Sequence, residues 1–250
     1  MGGGNDLPAP KKGPSGAPER VQGDAAGLRK PRTSVQQGGP EASAGPRIGL
    51  YGGSFDPVHL GHLHVARAAQ RAFGLERVLF VPAARPPHKP GAVLAGGRDR
   101  VAMLELALAD EPTFQVESLE LGREGPSYTL DTVRALEARE VGVLHLILGT
   151  DNLDGLPRWY GAEELLRRVV PIVVPRSSPF TWPASLADLP DDLADRVRAG
   201  WVDVEPVPGA SRDIRRGLAR NDAEAFEHLA LPVATYVRRR GLYGVSGDRP

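Results

Sequence analysis

From residue 48 onward, short apolar runs alternate with longer stretches in which apolar residues return every three or four positions. The runs, rich in Val, Ile and Leu, predict strands at 48–51, 78–82, 114–117, 144–148, 169–174 and 202–207. The longer period predicts helices at 60–73, 98–109, 130–139, 162–168 and 189–198, then two more at 212–220 and 232–239. Strands separated by helices build a parallel sheet through right-handed crossovers. The expected fold is therefore α/β: a Rossmann-like, doubly wound parallel sheet with helices on both faces. Ligands of such sheets sit in the crevice beyond the strand C-termini.

Residues 1–46 lack either period and consist mainly of Gly, Pro, Ser, Ala and scattered charge. Such a segment buries too little apolar surface to offset the entropy of ordering it, so a disordered tail is expected, followed by one domain over 47–245. Its Lys11, Lys12, Arg20, Arg29, Lys30 and Arg32 read as a mildly basic, solvated stretch.

At 250 residues the chain can bury a sizeable core. Its 31 Lys and Arg balance 31 Asp and Glu, which argues against the basic face of a nucleic-acid binder. Any anion site must be local. The absence of cysteine excludes disulfides, zinc–thiolate centres and a thiol nucleophile. No apolar run approaches the roughly 20 residues that span a bilayer. Nor does Met1-Gly2-Gly3-Gly4-Asn5-Asp6 open a hydrophobic leader. A cytoplasmic enzyme that engages neither membrane nor nucleic acid is the expected class.

The chemistry concentrates in Ile48-Gly49-Leu50-Tyr51-Gly52-Gly53-Ser54-Phe55-Asp56-Pro57-Val58-His59-Leu60-Gly61-His62. A strand runs into a glycine turn, and a helix starts directly after it. Gly52 and Gly53 let backbone approach a ligand, with Ser54 beside them, and the helix N-terminus aims free N–H groups at whatever occupies the turn. His59 and His62, three apart, share a face of the first helical turn and can meet a polyphosphate. His64 falls on another face. Asp56, followed by Pro57, reads as a turn former rather than a metal ligand. After the second strand, Arg85-Pro86-Pro87-His88-Lys89-Pro90 stiffens a loop with prolines, so that His88 and Lys89 can reach phosphate at low entropic cost.

This histidine pattern resembles the His-x-Gly-His signature of the nucleotidyltransferase superfamily. Val81-Pro82-Ala83-Ala84-Arg85-Pro86-Pro87-His88-Lys89, Gly125-Pro126-Ser127-Tyr128-Thr129 and Leu148-Gly149-Thr150-Asp151 follow it in that order. Together they resemble the bacterial nicotinate-nucleotide adenylyltransferases over residues 47–243. The resemblance implies in-line attack of a mononucleotide phosphate on the α-phosphorus of ATP, in which positioning and electrostatics do most of the work. It implies His62 for transition-state charge and His59 for the ATP phosphates. Gly149 would admit adenosine, and Asp151 would accept from a ribose hydroxyl. It also places an arginine at Arg100.

For the second substrate, nicotinate mononucleotide, the resemblance points to His88, Lys89, Tyr128, Thr129 and Trp159. Ser127 or Thr129 is expected to cap a helix whose N-terminus suits a carboxylate, with the Tyr128 and Thr129 N–H groups presented to the pyridine substituent. Trp159, within Leu156-Pro157-Arg158-Trp159, would stack on the ring. Gly209-Ala210-Ser211-Arg212-Asp213-Ile214-Arg215 aligns with the family's Ile-Ser-Ser-x-x-Ile-Arg, but Gly209 and Ala210 replace the isoleucine and first serine. Ser211 and Arg215, four apart, are expected to face the β- and γ-phosphates, with Arg212 a candidate substitute for the lost hydroxyl. No carboxylate cage is visible, so Mg2+ is expected to arrive on ATP. Self-association into a homo-oligomer is compatible with the family, although no heptad seam is legible. Rival readings are an adenylyltransferase for nicotinamide mononucleotide or another phosphate acceptor, and a catalytically silent nucleotide-binding regulator.

Overall fold

A computed structural model describes residues 1–2, 45–87, 95–207 and 209–246. The chain divides into residues 1–41 and 42–250. Of the first unit only Met1 and Gly2 are described, so the expected disordered tail lies almost wholly outside the described residues. Every element belongs to the second unit.

Five parallel strands, β1 (Arg47–Gly53), β2 (Arg77–Pro82), β3 (Phe114–Val116), β4 (Val143–Gly149) and β5 (Val170–Val174), form one sheet in the order β3-β2-β1-β4-β5. The strands carry apolar residues on both faces because both are covered. Leu50, Leu79, Val81, Leu146, Leu148 and Val173 point into one core with α3 (Thr129–Glu137), α4 (Ala162–Arg168) and α5 (Asp191–Ala199). Their alternates Tyr51, Val78, Phe80, Ile147, Ile172 and Val174 point into the other, with α1 (Leu60–Phe73), α2 (Gly97–Leu108), α6 (Ser211–Leu218), α7 (Ala223–Glu227) and α8 (Leu231–Arg240). The sheet is doubly wound, and the order reverses between β1 and β4, where a crevice opens at the strand C-termini. Among the described residues no helix is long and apolar enough to cross a membrane.

The expected strand at 202–207 does not form. Trp201 makes a single bridge to Val173, held by Val173 N–H to Gly200 O and Val202 N–H to Val173 O, each 2.8 Å. Beyond it Pro206 has no N–H to give, and the Glu205 carbonyl instead accepts from His64 Nε2 on α1 (2.9 Å). His64 is thus engaged with the segment that follows the bridge. The five-residue α7 was not expected; Asp222 caps it by accepting from Glu224 N–H at 3.1 Å.

The turn after β1 is braced from behind by distant segments. The Asp56 carboxylate, fully buried, accepts from Tyr243 Oη (2.7 Å) and Ala95 N–H (3.2 Å). Arg100, also buried, donates to Ser54 O (2.8 Å) and Ala95 O (3.3 Å). Burial raises the pKa of the Tyr243 phenol, and the neighbouring Asp56 charge raises it further, so the group stays a donor. A charge-assisted bond of this kind costs roughly 1.5–3 kcal/mol to remove. Tyr243→Phe should therefore lower the urea unfolding free energy by about that amount, and a loss under 0.5 kcal/mol (roughly the scatter of neutral surface changes) would show that the tie carries no load.

Candidate active site

Four strand ends converge on the crevice. Gly52 and Gly53 pair with Val81 and Pro82 across β1 and β2, and Gly149 pairs with Val174 across β4 and β5. Between them a cavity of about 130 Å3 is lined by Gly52, Gly53 and Ser54, by Ala83, Pro86 and Pro87 after β2, by Ser127, Tyr128 and Thr129 at the start of α3, and by Asn152, Trp159 and Tyr160. Six predicted site residues thus meet at one place although the sequence separates them widely. A Cβ at Gly52 would project into open space, whereas one at Gly53 would meet the Phe55 ring at 3.1 Å. The first glycine keeps the crevice open; the second lets Phe55 pack.

His59 ends the turn as the extended N-cap of α1. Its N–H donates to His62 Nδ1 (3.2 Å), which places the proton of a neutral His62 ring on Nε2. The two rings lie 3.8 Å apart, and Phe55 presses edge-on against His62 at 5.0 Å. His59 is 2% exposed, and neither of its ring nitrogens has a hydrogen-bond partner among the described residues. Burial pushes its pKa down to about 3, helped by the positive fields of Arg176 and His228. His59 is therefore neutral at neutral pH and offers a ring N–H, not an imidazolium. An unpartnered buried imidazole is costly, and a ligand acceptor is what would satisfy it.

Other predicted residues sit differently. Tyr128, not Ser127 or Thr129, is the N-cap of α3. The Ser127 hydroxyl instead accepts from Ala84 and Arg85 N–H (2.9 and 3.1 Å), clamping the β2 loop to the α3 loop. Tyr128 N–H is given to Pro126 O (3.0 Å), which leaves Thr129 and the residues after it as the groups that open the helix. The space a Gly149 side chain would need is taken by the Asp151 carboxylate and Arg176, so this glycine serves their packing before any adenosine. Asp151 itself lies exposed at the crevice mouth, in a 3-10 turn.

Ser211 and Arg215 do lie side by side on α6, but facing the turn's backbone. Ser211 Oγ donates to Pro57 O (3.2 Å), and Arg215 Nη1 donates to Asp56 O (2.6 Å) while standing 3.7 Å from the Asp56 carboxylate. Ala210 is the N-cap of α6 and supplies no side-chain cap. Arg212 is exposed. His88 and Lys89 lie outside the described residues.

Sequence reasoning gave no role to Arg176, Tyr160 or His228. Arg176 follows β5, takes Thr150 Oγ1 on its N–H (3.0 Å) and donates Nη2 to Gly209 O (3.1 Å), which carries a guanidinium across the crevice. A basic residue two positions past a predicted strand end was the available signal. Tyr160, 52% exposed, stacks on Tyr128 at 4.5 Å and walls the cavity beside Trp159.

A model of the cytidylyltransferase-like family matches residues 50–215. A probable nicotinate-nucleotide adenylyltransferase of Gloeobacter violaceus is 43% identical over 210 residues, covering 80% of this chain and 98% of the relative. One from Symbiobacterium thermophilum is 40% identical over 200 residues, covering 79% and 95%. The chain belongs to the nicotinate-nucleotide adenylyltransferase family. The Plasmodium falciparum nicotinic acid mononucleotide adenylyltransferase complexed with NaAD superposes with a TM-score of 0.63 at 16% identity, over 79% of this chain and 97% of that one, and supports the fold. The crevice residues and the histidine turn fall inside the span of the cytidylyltransferase-like model, whereas His228 and Tyr243 lie beyond that model.

The buried imidazole gives this site a pH signature. The unfolded His59 takes a proton near pH 6.5 and the folded one only near 3, so in that window the unfolded chain binds the extra proton and stability falls as pH drops. Between pH 7 and pH 5 His59 accounts for about 2 kcal/mol of lost stability. His59→Gln should lose correspondingly less over the same interval by urea titration, while His145, also lowered by burial, titrates in both proteins and cancels. Parallel pH profiles for the two proteins would refute the assignment.

Proposed function

We infer that this crevice transfers the adenylyl group of ATP to nicotinate mononucleotide, giving nicotinate adenine dinucleotide and pyrophosphate, a late step of NAD synthesis. The observation that carries the reading is the single cavity in which the glycine turn meets Tyr128, Thr129 and Trp159. The pyridine ring lies against Trp159 and the Tyr128–Tyr160 stack, and its carboxylate faces the opening turn of α3, where the helix dipole favours negative charge. ATP lies along the β1 turn with its phosphates at the N-terminus of α1. The mononucleotide phosphate oxygen attacks the α-phosphorus as the bond to the β-phosphate breaks, and the electron pair leaves on pyrophosphate. His62, from the first turn of α1, meets charge on the α-phosphate; His59 donates its N–H to a phosphate oxygen. Gly149, Asp151, Ser211 and Arg215 frame the nucleotide side, the last two by holding the turn in shape.

Magnesium comes with ATP. Among the described residues no group of three or more His, Asp or Glu could hold a metal, and the Asp56 carboxylate is taken by Tyr243 and Ala95. A cytoplasmic place of action follows from the same reading.

A coupled pyrophosphate assay with ATP and a panel of mononucleotides tests it. The nicotinate form should exceed the nicotinamide form in kcat/KM by about tenfold or more, the worth of one charge-assisted hydrogen bond. Equal turnover of the two would remove the carboxylate argument, and ATP binding without pyrophosphate release would favour a silent regulator. His62→Ala should cut kcat by roughly 100-fold or more with the fold intact by circular dichroism; near-normal turnover would mean that this ring does not touch the reacting phosphate.

A further inference from the structure

We propose that His228 is a third imidazole of the phosphate cradle, donating an N–H to the β- or γ-phosphate of ATP and to the departing pyrophosphate across the gap that Gly209 leaves open. The proposal rests on the adenylyl-transfer reading above and adds a residue that no motif pointed to.

The gap is defined by a missing side chain. Gly209 has a φ of 135°, a left-handed conformation that favours glycine. A Cβ there would stand 3.6 Å from His228 Nδ1 and 3.7 Å from His59 Nδ1, so both rings approach the same side-chain-free position. Arg176 reaches that stretch of backbone from the far strand through its bond to Gly209 O (3.1 Å). His59, 2% exposed and with both ring nitrogens unpartnered among the described residues, is the buried group that requires an occupant. Two imidazoles and a guanidinium around one side-chain-free residue suit an anion.

His228 is also held in place. It is the C-cap of α7, and its carbonyl accepts Leu60 N–H (2.9 Å) in the first turn of α1, which fixes its backbone to the helix that carries His59 and His62. The ring borders a second cavity of about 250 Å3 together with Gly209, Ala210 and Arg220. Three acids also line that cavity: Asp222 caps α7, Asp213 pairs with Arg216 at 3.3 Å, and Glu224 stands in the first turn of α7. Arg212 is exposed and lines neither cavity, so His228 is the ring donor of this cavity. As the α-phosphorus gains its new oxygen, the pair from the broken bond loads negative charge onto pyrophosphate, and the His228 N–H meets that charge.

The test uses the full chain with ATP, nicotinate mononucleotide and inorganic pyrophosphate as product inhibitor. His228→Ala should raise both the KM for ATP and the inhibition constant of pyrophosphate about tenfold, while the KM for the mononucleotide stays within about twofold; each tenfold is about 1.4 kcal/mol of lost phosphate contact. His228→Lys should recover most of the loss, because an ammonium still donates. ATP and pyrophosphate constants within twofold of wild type, or a rise in both substrates' KM together, would overturn the proposal. If His228→Ala fails to fold, His228→Phe carries the same comparison, because it keeps a ring and has no donor. Wild-type protein that releases no pyrophosphate would sink the parent reading before any variant is made, so the two failures are distinguishable.

Discussion

A carboxylate with no exposure to water, that of Asp56, anchors the turn on which the whole crevice depends. A buried charge costs several kcal/mol unless it is paired and hydrogen-bonded. Here the tie reaches far along the chain: Tyr243 from the C-terminal segment, Ala95 before α2, and Arg215 from α6. The same braces also engage peptide oxygens of the turn. Ser54 O takes Arg100, Asp56 O takes Arg215, and Pro57 O takes Ser211. Carbonyl dipoles that would repel a triphosphate are thereby given donors on the protein side. Three of the turn's peptide oxygens are thus turned toward donors on the protein side.

That division of labour changes what the basic residues of α6 mean. Arg215 and Ser211 sit in a phosphate-binding sequence pattern, yet their bonds run to Asp56 and Pro57 backbone. They shape the turn, and the proposed reading leaves the phosphate contacts to the imidazoles. His59 illustrates the energetic consequence. Its burial keeps it neutral, so it contributes a directed hydrogen bond in a dry site without the self-energy of a buried cation. In the proposed reading a phosphate oxygen meets the hydrogen-bonding capacity that this ring leaves open.

Periodicity made most of the fold legible. Helices α1 and α4 occupy the expected 60–73 and 162–168, and the five strands of the sheet were all anticipated. It failed at 202–207, where the residues alternate as in a strand but the partner decides: β5 is paired at Val173 once, and Pro206 ends the prospect of a ladder. The glycine turn, the histidines and the Tyr128–Trp159 wall were readable because they cluster in short motifs. Arg176 and His228 were not, since each is a solitary residue brought to the turn only by packing. Nor can spacing reveal that Ser127 clamps a loop instead of capping α3, because either use asks for the same hydroxyl. Motifs announce residues, and only the bonds assign their work.

A chain of zero formal charge still builds an anion site, and the arrangement of its arginines explains how. Many are spent on exposed pairs over the outer helices: Arg134 with Glu164, Arg168 with Glu137, Arg167 with Asp192. Such pairs contribute little stability, about 0–1 kcal/mol each, and cancel one another's field at a distance. At the strand ends the pattern reverses. Arg176 donates there to a backbone carbonyl instead of a carboxylate, the start of α3 lines the crevice at Thr129, and the buried Asp56 carboxylate is enclosed behind the turn by its own donors. Among the described residues, unpaired positive groups therefore gather at the strand ends, where the proposed reading seats a small phosphorylated substrate.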